Sequence, residues 1–326
     1  MTNRPAVVYL TEADLQRSLT MPEAIALAER GMEADGAGHV AGDKFYMPVG
    51  DHGFIKPFSG YLDGEDLAYV KTFSFFEGNT VRGLPVTDSL VLLFQAETGL
   101  PLAIMEANWI TGLKTGASTA LTARRLARPD TRVATVFGAG GLGRHHAEAL
   151  DHVFALDELR IVDPITETAR RFAVEMVDRM KAPIRVVEEA EAAVRGADLV
   201  VTVTTGSAVN VEPAWVKPGA FIARLGSHQE VATALFTEAD RLVVDRWQYV
   251  SSRIPEMVTL IAEGRLRQSD TVEWPDIVAG RTPGRQSNDE IILYVALGIW
   301  GEYAAILPEA YRRARTAGLG TVITGG

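Results

Sequence analysis

At 326 residues, with 47% hydrophobic and 23% charged residues, the chain has the composition of an ordinary globular protein and enough length for two domains. Its 32 Lys and Arg against 42 Asp and Glu leave a formal net charge of −10, which argues against a nucleic-acid partner, and the absence of cysteine excludes disulfides, thiolate metal ligands and a Cys nucleophile. No leader and no apolar run of membrane-spanning length is visible, so a soluble, cytoplasmic protein without a membrane partner is expected.

In chain order, Thr11-Glu12-Ala13-Asp14 starts a helix, and Thr20 to about Asp35 has the spacing of an amphipathic one. Phe54 to Phe94 reads as short strands separated by Gly, Pro and Asp. Glu106 to Ala127 returns to a helical pattern, broken by Arg128-Pro129-Asp130. Six buried-strand runs then alternate with helices: Arg132–Phe137, Leu159–Val162, Ile184–Val187, Leu199–Thr204, Phe221–Leu225 and Leu242–Asp245. The intervening helices include Thr166–Met180 and Glu188–Arg195. Such alternation implies a parallel sheet covered on both faces. Met257 to Ile277 reads as helix, Asp289–Val295 as a strand, and Tyr303 to about Ala317 as a last helix that rejoins the first domain. The expected fold is thus α/β: a Rossmann dinucleotide-binding domain over 128–295, and a discontinuous α+β domain made of 1–127 and 296–326.

Gly138-Ala139-Gly140-Gly141-Leu142-Gly143 is a G-x-G-x-x-G loop between strand Arg132–Phe137 and a helix opening at Arg144. Gly138 permits the tight turn, Gly140 lets backbone approach a pyrophosphate, and Gly143 allows close helix packing; Gly141, Leu142 and the helix end offer N–H groups to phosphates. The competing reading is a strand-to-helix turn with no ligand. Asp163 ends the second strand about twenty residues further on, where an acid bonds the ribose hydroxyls and repels a 2′-phosphate, so NAD(H) is preferred and NADP(H) possible. The competing reading of Asp163 is the N-cap of the helix that begins near Thr166, and both can hold at once.

Lys71 falls in a strand pattern that puts it on one face with Leu67, Tyr69, Phe73 and Phe75. Either it meets a substrate carboxylate there, with a lowered pKa, or it reaches out at a sheet edge. Lys114 lies among small residues in Ile110–Ala117, where a helix lysine ordinarily points to water. His228 follows the fifth strand, either as a proton donor or as a loop residue without a role. The His145-His146 pair has no metal-ligand spacing, so no metal is expected.

Taken with Ile110-Thr111-Gly112-Leu113-Lys114-Thr115-Gly116-Ala117, the glycine loop, the Asn79–Pro85 turn, Thr98–Ala103 and Trp215–Ala220, the chain resembles the ornithine cyclodeaminase/mu-crystallin family along nearly its whole length. The resemblance implies a homodimer in which a substrate and dimerisation domain joins a Rossmann domain, and a small amino- or imino-acid substrate. It implies that Lys71 is the active-site lysine, and that Lys114 replaces an arginine that grips the carboxylate, keeping the charge without the planar two-pronged grip. Lys44 stands near another substrate-binding arginine of the family. His228 falls where cyclodeaminases carry a catalytic aspartate, which weakens cyclodeamination. Further cofactor contacts are expected from Lys114, Thr115, Thr204, Leu225 and Gly298. The leading expectation is an NAD(P)-dependent imine (ketimine) reductase or amino-acid dehydrogenase. A cyclodeaminase that returns its NAD, and a mu-crystallin-like ligand-binding protein with little catalysis, are the alternatives.

Overall fold

The computed structural model describes residues 5–226 and 228–323. In chain order the strands are β1 Val7–Leu10, β2 Val40–Lys44, β3 Met47–Val49, β4 Gly53–Leu62, β5 Leu67–Phe75, β6 Thr87–Gln95, β7 Pro101–Glu106, β8 Val133–Phe137, β9 Glu158–Val162, β10 Ile184–Val186, β11 Leu199–Thr202, β12 Phe221–Arg224, β13 Arg241–Val244, β14 Thr271–Glu273, β15 Ile292–Val295 and β16 Thr321–Ile323. They form two eight-stranded sheets, one in each of two compact units. One unit runs to Lys114 and resumes at Trp300, and the other is Thr115–Ile299. This division falls inside the helix Asn108–Leu126, earlier than the Arg128-Pro129-Asp130 break that the sequence pattern suggests.

The first unit holds a mixed sheet in the order β16-β1-β7-β6-β5-β4-β2, with β3 beside β4. Its centre is an antiparallel meander, β4 to β7. The segment Phe54–Phe94, read as short strands, is instead built of nine- and ten-residue strands, β4, β5 and most of β6. The helices Met21–Gly36 and Gly301–Thr316 pack together in this unit. The first is amphipathic as expected: Met21, Ala24, Ile25, Ala28 and Met32 are buried at helical spacing, and Thr20 and Glu23 close a capping box. Where the two helices meet, Gly31 and Gly301 leave no room for side chains, since a Cβ on Gly31 would lie 2.3 Å from the Gly301 carbonyl oxygen.

The second unit holds a wholly parallel sheet in the order β10-β9-β8-β11-β12-β15-β13-β14. Its central strands β11, β12 and β15 are buried along their full length, as parallel strands covered on both faces must be. Chain order runs outward from β8 in one direction through β9 and β10, and in the other through β11 and β12. The carboxyl ends of β8 and β11 are therefore a switch point, where ligands of such sheets bind. Two expectations are corrected. Met257–Ile277 is not one helix: the helix Pro255–Ala262 ends before Gly264, whose φ is +70°, and β14 and the short helix Trp274–Val278 follow. The strand expected at Asp289–Val295 is only Ile292–Val295, inserted between β12 and β13.

Candidate active site

At the switch point of the parallel sheet the glycine loop follows β8 and opens the helix Gly141–Val153. Gly138 has φ +104°, and a Cβ on it would meet the Val203 carbonyl oxygen at 2.8 Å. A Cβ on Gly143 would lie 2.0 Å from the Gly138 carbonyl oxygen, so only glycine lets the helix start this close to the strand. Gly140 and Gly141 differ: a Cβ on either meets nothing within 4 Å, so the loop is open on that side. Gly140 is the N-cap and supplies no side chain to the first-turn N–H groups. Closed beneath and open above, with N–H groups at the rim, the loop fits a dinucleotide pyrophosphate.

Asp163 holds this loop. One carboxylate oxygen accepts the Ala139 N–H at 2.9 Å and the other the Ile165 N–H at 3.0 Å, leaving lone pairs for ribose hydroxyls. It is not the N-cap of the next helix, a position taken by Ile165. Thr204 and Leu225 stand just past β11 and β12, and Gly298 past β15. Sequence reasoning missed the group that ties the segments after β11 and β12 together. The carboxylate of Glu230, 0% exposed, accepts from the Thr204 N–H at 2.6 Å, the Thr204 hydroxyl at 2.8 Å, the Thr202 hydroxyl at 2.9 Å and the Gly226 N–H at 2.7 Å. Buried Arg224, likewise unexpected, donates to the carbonyls of Gly226 and His228 and pairs with Glu256 at 3.2 Å. His228, half-buried, is thus anchored through its backbone. The neighbouring acid that organises the strand ends is Glu230.

The small residues of the helix Asn108–Leu126 also have a cause. A Cβ on Gly116 would meet the His145 carbonyl oxygen at 2.5 Å. His146 is buried, with Nδ1 2.7 Å from the Leu142 carbonyl oxygen and Nε2 3.2 Å from the Thr119 hydroxyl. No cluster of metal-ligating side chains occurs among the described residues.

In the mixed sheet, antiparallel register builds a second constellation. Lys44, Phe58, Lys71, Val91 and Met105 are cross-strand partners in one row from β2 to β7, and Lys56, Phe73 and Ser89 form the next. Partners so placed share a face. Lys71 is 1% exposed, so it does not reach out at an edge. Its ammonium donates to the Ser89 hydroxyl at 3.2 Å and lies 5.4–5.5 Å from the ring centres of Phe58, Phe73 and Tyr303. Burial holds its pKa well below the ordinary 10.5, and the charges of Lys56 and Lys114 lower it further. Lys114, 2% exposed, does not point to water either. It lies 4.6 Å from the Tyr303 ring centre and 3.4 Å from the carboxylate of Glu302, whose pKa burial raises. Tyr303 was read only as the start of a last helix, and Glu302, beside it in the first turn of the helix Gly301–Thr316, went unnoticed in the sequence. So did Lys56, although the alternation Phe54, Lys56, Phe58 was a signal that it shares the aromatic face. A cluster of lysines over aromatic rings suits a small molecule that is both anionic and partly apolar.

A wholly parallel sheet with a glycine loop at its switch point, in a chain whose other unit is built on a mixed sheet, defines a Rossmann-type α/β protein. The chain belongs to the ornithine cyclodeaminase/mu-crystallin family, whose profile matches residues 7–317. It is 32% identical to the ketimine reductase mu-crystallin of Mus musculus over 258 residues, 78% of this chain and 80% of that one. It is similar to the structure of Thermococcus litoralis Delta(1)-pyrroline-2-carboxylate reductase in complex with NADH and L-proline, with a TM-score of 0.93, 30% identity, and coverage of 97% of this chain and 100% of that one. An archaeal alanine dehydrogenase dimer with bound NAD superposes with a TM-score of 0.91 at 27% identity, over 98% of this chain and 100% of the other.

Proposed function

We propose that this chain is a nicotinamide-dependent oxidoreductase that interconverts an α-imino acid and its amino acid, with NAD(H) preferred, acting as a cytoplasmic homodimer. The observation that carries the reading is the environment of Lys71: a buried amine on an aromatic floor, with further cations around it and a neutral hydroxyl as its hydrogen-bond partner. Such a site favours a carboxylate ligand, which relieves the like-charge repulsion.

The glycine loop, Asp163, Thr204, Leu225 and Gly298, with Lys114 and Thr115, hold the dinucleotide. When bound, the nicotinamide supplies or accepts the hydride. Lys71 and Lys114 grip the substrate carboxylate and fix the orientation of its α-carbon, and Lys44 is a further substrate-binding lysine. Lys71, with its lowered pKa, gives or takes the proton at the substrate nitrogen, and His228 is the alternative donor. Phe58, Phe73 and Tyr303 exclude water. The carboxylate of Asp163 disfavours a 2′-phosphate and underlies the preference for NAD(H). The relatives support the same chemistry: one is a ketimine reductase, another a pyrroline-2-carboxylate reductase solved with NADH, a third an alanine dehydrogenase solved as a dimer with NAD.

The test is a panel of cyclic imines, and of 2-oxo acids with ammonia or small amines, followed by NADH and NADPH absorbance. NADH consumption matching product is the expected result. L-Ornithine and L-lysine are run beside the panel: a cyclic amino acid formed with release of one ammonia and no net change in cofactor would make the chain a cyclodeaminase. No oxidation of either cofactor across the panel would overturn the reductase reading.

A further inference from the structure

The β4–β5 register sets four side chains in a checkerboard on one sheet face. Lys56 is opposite Phe73, and Phe58 is opposite Lys71, so the lysines occupy one diagonal and the rings the other. Both ammonium groups lean over both rings. Lys56 Nζ is 5.1 Å and 5.3 Å from the ring centres of Phe58 and Phe73, and Lys71 Nζ is 5.5 Å from each. Lys44 flanks Phe58 from the other side at 5.9 Å. Three cations therefore converge on two rings, with Lys114 beyond them over Tyr303.

A single α-carboxylate carries one negative charge on two oxygens, and buried Lys71 and Lys114 are enough to hold it. Lys56 stands on the same face one row from Lys71, and Lys44 across Phe58 from it, and each is only partly buried. We propose that Lys56, assisted by Lys44, forms a second anion subsite, and that the substrate is an imino acid whose side chain ends in a second carboxylate. This rests on the imino-acid reading above. The electrostatics agree: after burial itself, Lys56 is the strongest influence lowering the pKa of Lys71, ahead of Lys114. An acidic side chain between Lys56 and Lys71 removes that repulsion, whereas an apolar one leaves it in place and dries it further.

Calorimetry on the NADH-loaded protein tests this with matched carbon skeletons: 2-oxoglutarate against 2-oxopentanoate, and oxaloacetate against 2-oxobutanoate. Within at least one pair the diacid is expected to bind about tenfold tighter or more, the scale of one charge-assisted contact. In Lys56→Met the ratio falls to about one, and in Lys56→Glu it inverts. A ratio near one for both pairs in the native protein, or one unchanged in both variants, removes the second subsite and leaves the function intact. Uptake of NADH with binding of none of the four acids removes the imino-acid reading and the subsite with it.

Discussion

Around Gly138 the functional surface is backbone, and the neighbouring side chains serve to hold it. Asp163 is bonded to two loop N–H groups, and Glu230 accepts two N–H groups and two hydroxyls. Around Phe58 and Phe73 the roles are exchanged: the backbone is a regular antiparallel ladder, and the functional groups are lysines crowded over rings. The first region satisfies its buried charges internally, through hydrogen bonds to groups of the same fold. The second gathers Lys44, Lys56, Lys71 and Lys114 over aromatic rings, with the Glu302 carboxylate 3.4 Å from Lys114. A scaffold that recognises a large constant ligand can be built from shape, while a pocket that selects a small ion-bearing one is built from electrostatics.

Three substitutions break or sharpen this contrast. The largest effect is expected from Gly143→Ala, because its Cβ has only the Gly138 carbonyl to displace, and backbone does not give way as a flexible side chain does. It should cost about 3 kcal/mol or more, the upper range for overpacking, and remove NADH binding. Fluorescence titration and a denaturant midpoint check both. NADH affinity like that of the native protein would mean the loop is not the cofactor cradle.

Next is Lys71→Met. Turnover should fall by about 10² or more while NADH affinity stays within about twofold, as the proposed assignment of this lysine to substrate and not to the dinucleotide requires. A parallel loss of NADH affinity would break the division of labour between the two regions. The pH dependence follows from sign. The protonated amine holds the carboxylate, so substrate affinity falls as pH rises through the lowered pKa of Lys71, well before 10.5. Stability of the ligand-free protein moves oppositely. Between that lowered pKa and 10.5 unfolding takes up a proton, so stability rises with pH, and Lys71→Met should flatten this limb.

The smallest effect is expected from Glu23→Gln, which belongs to neither constellation. Arg313 and Thr20 lower the pKa of Glu23 from 4.5 to about 2. Its stabilisation is thus present above 4.5 and lost as pH falls through about 2. Because the pair is largely exposed and screened, the loss at neutral pH should be at most about 1 kcal/mol by thermal melting.

The same contrast explains what could be read before the structure. The glycine loop and the parallel strands were legible because their signals are local: a strand, three spaced glycines and a helix lie within about a dozen residues. Lys71 was visible as a lysine in an aromatic alternation, but its environment was not, because Lys56 reaches it only through β-register. Glu302 looked like an ordinary first-turn acid, and Glu230 like a loop acid, until tertiary packing buried them. Lys114 was expected to be solvated on general grounds, which fail where Tyr303 and Glu302 close over it. The three-residue β14 was too short to show in a pattern.

The row Lys44–Phe58–Lys71–Val91–Met105 also constrains how this chain can vary. Side chains alternate along a strand with period two, so inserting or deleting one residue within β4 or β5 would send every side chain on one side of the change, the lysine among them, to the opposite surface. Length changes inside either strand are therefore confined to even numbers or to a compensating bulge, whereas the loop between Leu62 and Leu67 is free to vary.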